Sequence, residues 1–222
     1  MTTTSPNEAL AAAGIAPHRR GRERFRALTD DERGFYRWIL RRFAAGGPPG
    51  PDELADAASE FELEVEPSLA RLRRQDLVHQ DPATGAILVA YPFAGRETAH
   101  RVRFDGREVY AMCALDALGI APMLGEPITI ASRDPLTGEE IEVALEPEGG
   151  GSSRPEDTVV VSGTTGSADS CDACCPVLNF FASATNAGRW LAAHPDVRGV
   201  VISVPDAIVA GRTVFGDLLV EA

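Results

Sequence analysis

The chain has 222 residues, 44% of them hydrophobic and 24% charged, which is typical of a globular protein large enough to bury a substantial core. Its formal net charge is −12, and the chain after residue 50 carries 28 acidic against 12 basic residues, which argues against a nucleic-acid role for this larger part. Neither a signal-peptide core nor an apolar run of membrane-spanning length occurs, so we expect a cytoplasmic protein without membrane contact.

The amino-terminal part of the chain is predicted to be mostly helical. Residues 1–25 are rich in Ser, Thr, Ala and Arg without an apolar period, and we expect a flexible leader there. A helix is predicted from an N-cap at Thr29 to Gly46, with Phe35, Trp38, Ile39 and Phe43 at helical spacing. Two shorter helices are predicted within residues 51–61 and 65–78, the last with Leu69, Leu72 and Leu77 facing inward.

A turn at residues 81–85 and the apolar run ILVAYPF then predict a pair of strands. Three helices followed by a hairpin outline a winged-helix-like domain over residues 26–95. Such a domain can bind DNA, here through Arg71, Arg73 and Arg74. Because the chain is acidic overall, we favour a small helical domain that packs against the rest of the protein and expect no nucleic-acid partner.

Residues 96–222 alternate short strands with turns and a few helices. Strands are predicted at HRVRF, PITIAS, EEIEVAL, TVVVSG and VVISV, and helices at YAMCALDALGIAPMLG, at TNAGRWLAAHP and from Pro205 onward. Residues 148–157 are predicted to form a flexible surface connection. The predicted fold class is α+β, with a mixed or antiparallel sheet and flanking helices forming a catalytic domain.

The four cysteines are the main chemical signal. Cys171, Cys174 and Cys175 lie within five residues of one another, too close for unstrained disulfides, so thiol chemistry or metal binding is the better interpretation. Cys113 and Asp116 are three residues apart, and on a helix they would share a face, where the carboxyl group can exchange a proton with the thiol. A lone C-x-x-D is more often a structural cysteine beside an unrelated aspartate.

Other thiol functions fit less well. Structural zinc needs four converging ligands, which the adjacent Cys174 and Cys175 rarely supply together. A thioredoxin-like motif needs a helix start within a βαβ unit, and Pro176 follows the cluster instead. A hydrolytic cysteine needs a histidine partner, and the four histidines lie outside both clusters in sequence.

Taken together and in this order, the two clusters resemble the alkylmercury lyase family. The resemblance is carried by VYAMCALDALGIAPMLG, ITIASRDPLTGEEIEV, CCPVLNFFAS and GVVISVPDAIVAGRTVFGDLL, and it covers about 125 residues. It implies a catalytic site made by Cys113, Asp116 and one cysteine before the paired phenylalanines. In the family that cysteine stands five residues before the first Phe, and the matching residue in this chain is Cys175.

The resemblance also implies metal ligands and partners, and the chain departs from the family at two positions. Cys113, Cys175 and Asp116 would bind mercury, Cys174 is a candidate secondary ligand, and Cys171 has no clear counterpart. The resemblance implies that no cofactor is required, that external thiols assist and that Hg(II) stays bound as product. Mercuric reductase is a candidate acceptor of the Hg(II), and we expect a monomer. Met112 replaces an aromatic residue frequent in the family, and Asp134-Pro135 stands where some members have a structural cysteine.

These residues predict protonolysis of a carbon–mercury bond. Soft thiolates bind mercury better than carboxylate or imidazole does. Asp116 would take a proton from a thiol and deliver it to the leaving carbon, in an apolar pocket for which Phe180, Phe181 and Met123 are candidate walls. Three alternatives stay open: a non-catalytic soft-metal trafficking protein, a thiol-sensing winged-helix regulator, and the same scaffold acting on another organometal, such as an organotin, or on a metabolite.

Overall fold

The computed structural model describes residues 23–165, 175–216, 218 and 219. Most of the predicted leader and both Cys171 and Cys174 lie outside these residues. Across the described ranges, no helix is both long and apolar enough to cross a lipid bilayer.

Three helices form the amino-terminal part, as the apolar spacing predicts: α1 (Asp30–Gly46), α2 (Pro51–Glu60) and α3 (Val65–Arg74). A capping box starts α1, because the Thr29 hydroxyl accepts from the Glu32 N–H at 3.2 Å and the Glu32 carboxylate accepts from the Thr29 N–H at 2.8 Å. Phe35, Ile39 and Phe43 on α1 are buried. The apolar stripe of this helix is therefore part of the core.

An eight-stranded sheet follows, in the spatial order β1-β2-β3-β5-β4-β6-β7-β8. Every pair of neighbouring strands in it is antiparallel. Its strands are β1 (Val78–Gln80), β2 (Ile87–Ala90), β3 (Phe93–Ala94), β4 (His100–Phe104), β5 (Arg107–Ala111), β6 (Ile128–Arg133), β7 (Glu140–Leu145) and β8 (Gly151–Arg154). The predicted α+β class with antiparallel pairing is confirmed.

A second, three-stranded antiparallel sheet has the order β10-β9-β11, with β9 (Val159–Thr164), β10 (Asn179–Phe181) and β11 (Arg198–Ser203). Three more helices complete the described fold: α4 (Ala114–Leu124), α5 (Ala184–Ala193) and α6 (Val204–Phe215). Helix α4 contacts β4, β5 and β6 of the large sheet and β10 of the small sheet. It lies where the two sheets meet.

Three local predictions were wrong. The third helix ends at Arg74 and not at Val78, because Asp76 has a left-handed backbone with φ at 52° and Val78 begins β1. The segment predicted as a flexible connection contains β8, which pairs with β7; its side chains are mostly exposed, so it lacks the apolar alternation that marks a strand. The predicted helix through Cys113 begins later, at Ala114, because the residues before Met112 form β5 and pair with β4. Cys113 is the N-cap of α4.

The predicted boundary after residue 95 stays a prediction. Strand β3 precedes it and pairs with β5, which follows it, so one sheet extends across this position. One hydrophobic core likewise includes residues of α1, of both sheets and of α4. The amino-terminal helices are thus packed onto the same body that carries the cysteines.

Helices α4 and α6 cross closely because Gly211 has no side chain. A Cβ atom at this position would lie 2.9 Å from the Leu115 carbonyl oxygen and 3.0 Å from the Gly119 amide nitrogen, both of them backbone atoms of α4. Backbone atoms of a buried helix move less easily than the end of a flexible side chain. Gly211 therefore fixes how near α6 lies to α4.

Gly211→Ala is expected to lower the free energy of unfolding by about 1–3 kcal/mol, because the added methyl group forces the two helices apart. Gly188→Ala on the exposed side of α5 is the matched control, since a Cβ there meets nothing within 4 Å. The control should gain about 0.5–1 kcal/mol from the lower backbone entropy of alanine. Urea unfolding of both variants measures this, and equal stability of the two would contradict the close crossing.

Candidate active site

The site begins where β5 passes into α4. Cys113 has an extended backbone at the N-cap of α4, and its sulfur accepts from the Asp116 N–H at 3.5 Å. An N-cap side chain satisfies one of the free N–H groups of the first helical turn, and here a sulfur takes the place of the usual oxygen. Cys113 and Asp116 are therefore close because of capping, whereas the sequence predicted a shared helix face.

Asp116 is a carboxyl group in an apolar setting. Nine of the eleven residues of α4 are buried, and Asp116 is one of them, with 5% of its surface exposed. The pKa of Asp116 is raised to about 7, mainly by burial; the hydrogen bonds from Cys113 oppose the rise, and the charge of Asp76 adds to it. A group with this pKa can take or give a proton near neutral pH.

Cys175 completes the cluster from a distant part of the chain. Its sulfur lies 4.0 Å from Asp116 Oδ2, and the two sulfurs and a carboxylate oxygen all lie within 4.8 Å of one another. Cys113 and Cys175 are 3% and 8% exposed, respectively. The three predicted residues are thus brought together, and within the described ranges they are the group suited to hold a metal ion.

The resting state of Cys113 is a thiol. Burial is the main reason that its pKa lies well above the usual range, and the neighbouring Cys175 and Asp116 raise it further. The N–H of the helix start favours a thiolate, but burial outweighs it. Neither Cys113 nor Cys175 forms a disulfide, so both sulfurs are free to bind a ligand.

Tyr91 is a residue of the site that the sequence did not reveal. It lies between β2 and β3, and its hydroxyl oxygen is 3.8 Å from the Cys175 sulfur. In the sequence it is one aromatic residue within an apolar run, and no spacing rule separates it from a core residue. Asp76, also missed, is buried, pairs with Arg24 and lies 2.6 Å from His79 Nε2.

The residues predicted to form the apolar walls of the site, and two of the histidines, lie within the protein as follows. Phe180, Phe181 and Met123 are buried, and their contact with Asp116 stays a prediction. His100 packs its ring edge against Phe180 and lies 3.0 Å from the Ser132 hydroxyl through Nδ1. Burial lowers the pKa of His100 to about 4, so this histidine is neutral. His194 stacks on Trp190.

Asp134 connects the turn after β6 to the segment that follows the second cysteine. Its carboxylate accepts from the N–H groups of Leu136 at 2.8 Å and Ala182 at 2.9 Å, and from the Asn186 side chain at 2.8 Å. Asp134 stands at the position where some members of the resembling family have a structural cysteine. Its hydrogen bonds fix the end of β10 and the start of α5.

Comparison with known proteins decides the family. The alkylmercury lyase (MerB) family model matches residues 93–216. Alkylmercury lyase from Staphylococcus epidermidis is 32% identical over 178 residues, which are 80% of this chain and 79% of that protein. The Streptomyces lividans enzyme is 31% identical over 186 residues, 83% of each chain. The chain belongs to the alkylmercury lyase family.

The fold of this family member has a solved counterpart. A crystal structure of the mercury-bound form of MerB2 has a TM-score of 0.75 at 19% identity and covers 91% of this chain and 98% of that one. Because it covers 91% of this chain, the likeness extends well beyond residues 93–216, the region matched by the family model. The resemblance stated from the sequence is confirmed.

The burial of Asp116 predicts a pH-dependent stability. A carboxyl that titrates near pH 4 when unfolded and near 7 when folded costs stability as pH rises between these values, by up to ~4 kcal/mol, and the cost persists above pH 7. An asparagine at this position cannot ionise. Asp116→Asn should therefore gain stability relative to the natural protein between pH 5 and pH 8.

Urea unfolding at both pH values measures this gain. Asp157→Asn, the same change at an exposed position, is the control and should show no such difference between the two pH values. An equal change in stability on Asp116→Asn at pH 5 and pH 8 would show that burial does not raise the pKa of this carboxyl.

Proposed function

We propose that this protein is an organomercurial lyase that cleaves a carbon–mercury bond by protonolysis and holds the released Hg(II) between the thiolates of Cys113 and Cys175. The observation that carries the proposal is the convergence of two buried thiols and a buried carboxyl within 4.8 Å. Family membership gives the substrate class, since its curated relatives are named alkylmercury lyases.

Two thiols suit the metal. Mercury is soft, and thiolate sulfur is the protein ligand that soft metals prefer. In the first step the thiol of Cys113 replaces the external thiolate on R–Hg–SR′: a mercury–sulfur bond to Cys113 forms, the bond to the external sulfur breaks, and R′SH leaves with the proton. Cys175 then approaches the same metal.

Asp116 moves the second proton. Its carboxylate takes the proton of Cys175 as that sulfur bonds to mercury, and it then protonates the carbon while the carbon–mercury bond breaks. The products are R–H and Hg(II) bound to two thiolates, and Asp116 is again ionised. A pKa near 7 lets one carboxyl perform both transfers without a large barrier for either. Phe180, Phe181 and Met123 are proposed to keep water from the site.

The remaining expectations belong to the same proposal. The enzyme needs no resident cofactor, uses external thiols, acts as a cytoplasmic monomer, and passes Hg(II) to an acceptor such as mercuric reductase. Cys174 would be a secondary ligand. The winged-helix-like domain over residues 26–95 serves packing: Arg71 donates to the Ala27 carbonyl at 3.0 Å and lies 3.8 Å from Glu32, so part of its side chain is used within the protein.

A non-catalytic soft-metal protein is the second candidate, because the same three groups would also hold Hg(II), Cu(I) or Zn(II). Asp116 separates the two functions, since a metal trap needs no proton donor. Retention of mercury without hydrocarbon release would favour the trap, and a faster reaction with another organometal or with a metabolite would point to a different natural substrate.

The proposal predicts that the purified protein, given phenylmercury and excess small thiol, releases benzene measurable by gas chromatography. Cys113→Ser, Cys175→Ser and Asp116→Ala should each reduce this release by at least about 1000-fold, because each removes a group that bonds to the metal or moves the proton. Thermal unfolding checks that each variant is folded.

Cys174→Ser is the matched comparison, because it makes the same change one residue away; at a secondary ligand it should lower the activity far less than Cys175→Ser does. Full activity in all three site variants would refute the mechanism. Loss of activity in Cys174→Ser together with retention in Cys175→Ser would instead move the second catalytic thiol to position 174.

A further inference from the structure

Within the described residues, the two sulfurs of the site are held differently. Cys113 is fixed at a helix start, where its sulfur accepts an N–H. Cys175 lies in a turn before β10, outside any helix or strand. Its sulfur lies 4.0 Å from Asp116 Oδ2, 3.8 Å from the Tyr91 hydroxyl and within 4.8 Å of the Cys113 sulfur. Cys113 and Asp116 both react in the proposed mechanism, whereas Tyr91 does not.

We propose that Tyr91 is a positioning residue of the active site, whose hydroxyl holds the Cys175 sulfur toward the point shared by Cys113 and Asp116. The proposal rests on the proposed function for its role in catalysis. When Cys175 is a thiol, its S–H can donate to the Tyr91 oxygen; once the sulfur has given up its proton, the Tyr91 O–H can donate to it. The phenol keeps its own proton throughout.

The backbone of Tyr91 is held from two sides. Its N–H donates to the Leu77 carbonyl at 3.1 Å, and its carbonyl accepts from the Tyr36 hydroxyl at 2.7 Å. Tyr36 is fully buried, which raises the pKa of its phenol above the usual range, so this donor stays protonated. A hydroxyl on such a fixed backbone can define where a neighbouring sulfur lies.

The ring of Tyr91 is also oriented. The ring of His79 meets it edge to face at 89°, with centroids 6.0 Å apart. His79 Nε2 lies 2.6 Å from Asp76 Oδ1, and the other oxygen of Asp76 pairs with Arg24. Charged and hydrogen-bonded partners thus hold the histidine that packs on the tyrosine. The amino-terminal part of the chain contributes to the site through this chain of contacts.

Tyr91→Phe removes one oxygen atom and keeps the ring packing. The protein is first loaded with one equivalent of phenylmercury, and benzene release is then followed in a single turnover. Capture through Cys113 should proceed as in the natural protein, whereas release, which needs Cys175 at the metal, should slow about tenfold, as is typical when an outer partner of a metal ligand is removed. A purely structural defect would not slow release alone.

Tyr110→Phe is the matched control. Tyr110 is half-buried on β5, and its variant should change neither the stability nor the rate of benzene release. Tyr36→Phe removes the donor to the Tyr91 carbonyl, so this variant should be less stable and should slow release less than Tyr91→Phe does. If Tyr91→Phe releases benzene as fast as Tyr110→Phe, the proposal is overturned.

Two measurements, competition for Hg(II) and benzene release from phenylmercury, distinguish failure of this proposal from failure of the proposed function. Competition between the protein and dithiothreitol for Hg(II) chloride needs no lyase activity, and Tyr91→Phe should hold Hg(II) about tenfold less tightly than Tyr110→Phe. If the natural protein binds phenylmercury and releases no benzene, the proposed function fails, while this competition still tests the contact. Equal retention by the two variants overturns the role of Tyr91.

A tyrosine resonance tests the contact without any change at Tyr91, should Tyr91→Phe fail to fold. The chain has three tyrosines, so carbon-13 labelling at the phenol carbon gives three signals, assigned with Tyr36→Phe and Tyr110→Phe. Cys175→Ala should shift the Tyr91 signal and leave that of Tyr110 in place. An unchanged Tyr91 signal would contradict the contact.

Discussion

The burial of one carboxyl group at the start of α4 is the constraint on which the site depends. Asp116 lies in the first turn of a helix that is buried almost throughout, so ionising it is costly unless neighbouring groups compensate. The helix can start there because Cys113 caps it. The same capping contact brings the thiol beside the carboxyl, and the close approach of α6 at Gly211 keeps α4 in place.

Separate parts of the chain must meet around this helix. The Ala114 N–H, a free donor of the first turn, donates to the Leu178 carbonyl at 2.9 Å, which ties the start of α4 to the segment that carries Cys175. Asp134 binds the far end of that segment through Ala182. From the other side, Tyr91 reaches the Cys175 sulfur. Secondary structure alone would not bring these groups together; they meet because backbone groups at element ends need partners.

The sequence predicted the helices and strands that have a regular apolar spacing or a recognisable cap. The helices α1 to α3 follow from apolar spacing and from Thr29 as a cap, and most strands of the large sheet follow from alternation. Strand β8 was missed because exposed strands lack that alternation. The pairing of Cys113 with Asp116 was predicted on a helix face and occurs by capping. The choice of Cys175 over Cys174 came from family resemblance, and Tyr91 carried no signal because its role depends on long-range contacts.

Charge balance explains why thiols and a carboxyl belong in one buried site. Burial raises the pKa of the Cys113 thiol well above its usual range and so keeps it protonated before a metal binds, since several negative charges there would repel strongly. An organomercury cation bound to one thiolate is neutral, and Hg(II) bound to two thiolates is neutral as well. In the proposed reaction, each loss of a thiol proton is therefore matched by a new bond to a cationic metal, and the net charge of the buried site stays constant. A hard cation would bind thiolates too weakly to offset their ionisation, so burial itself favours soft metals.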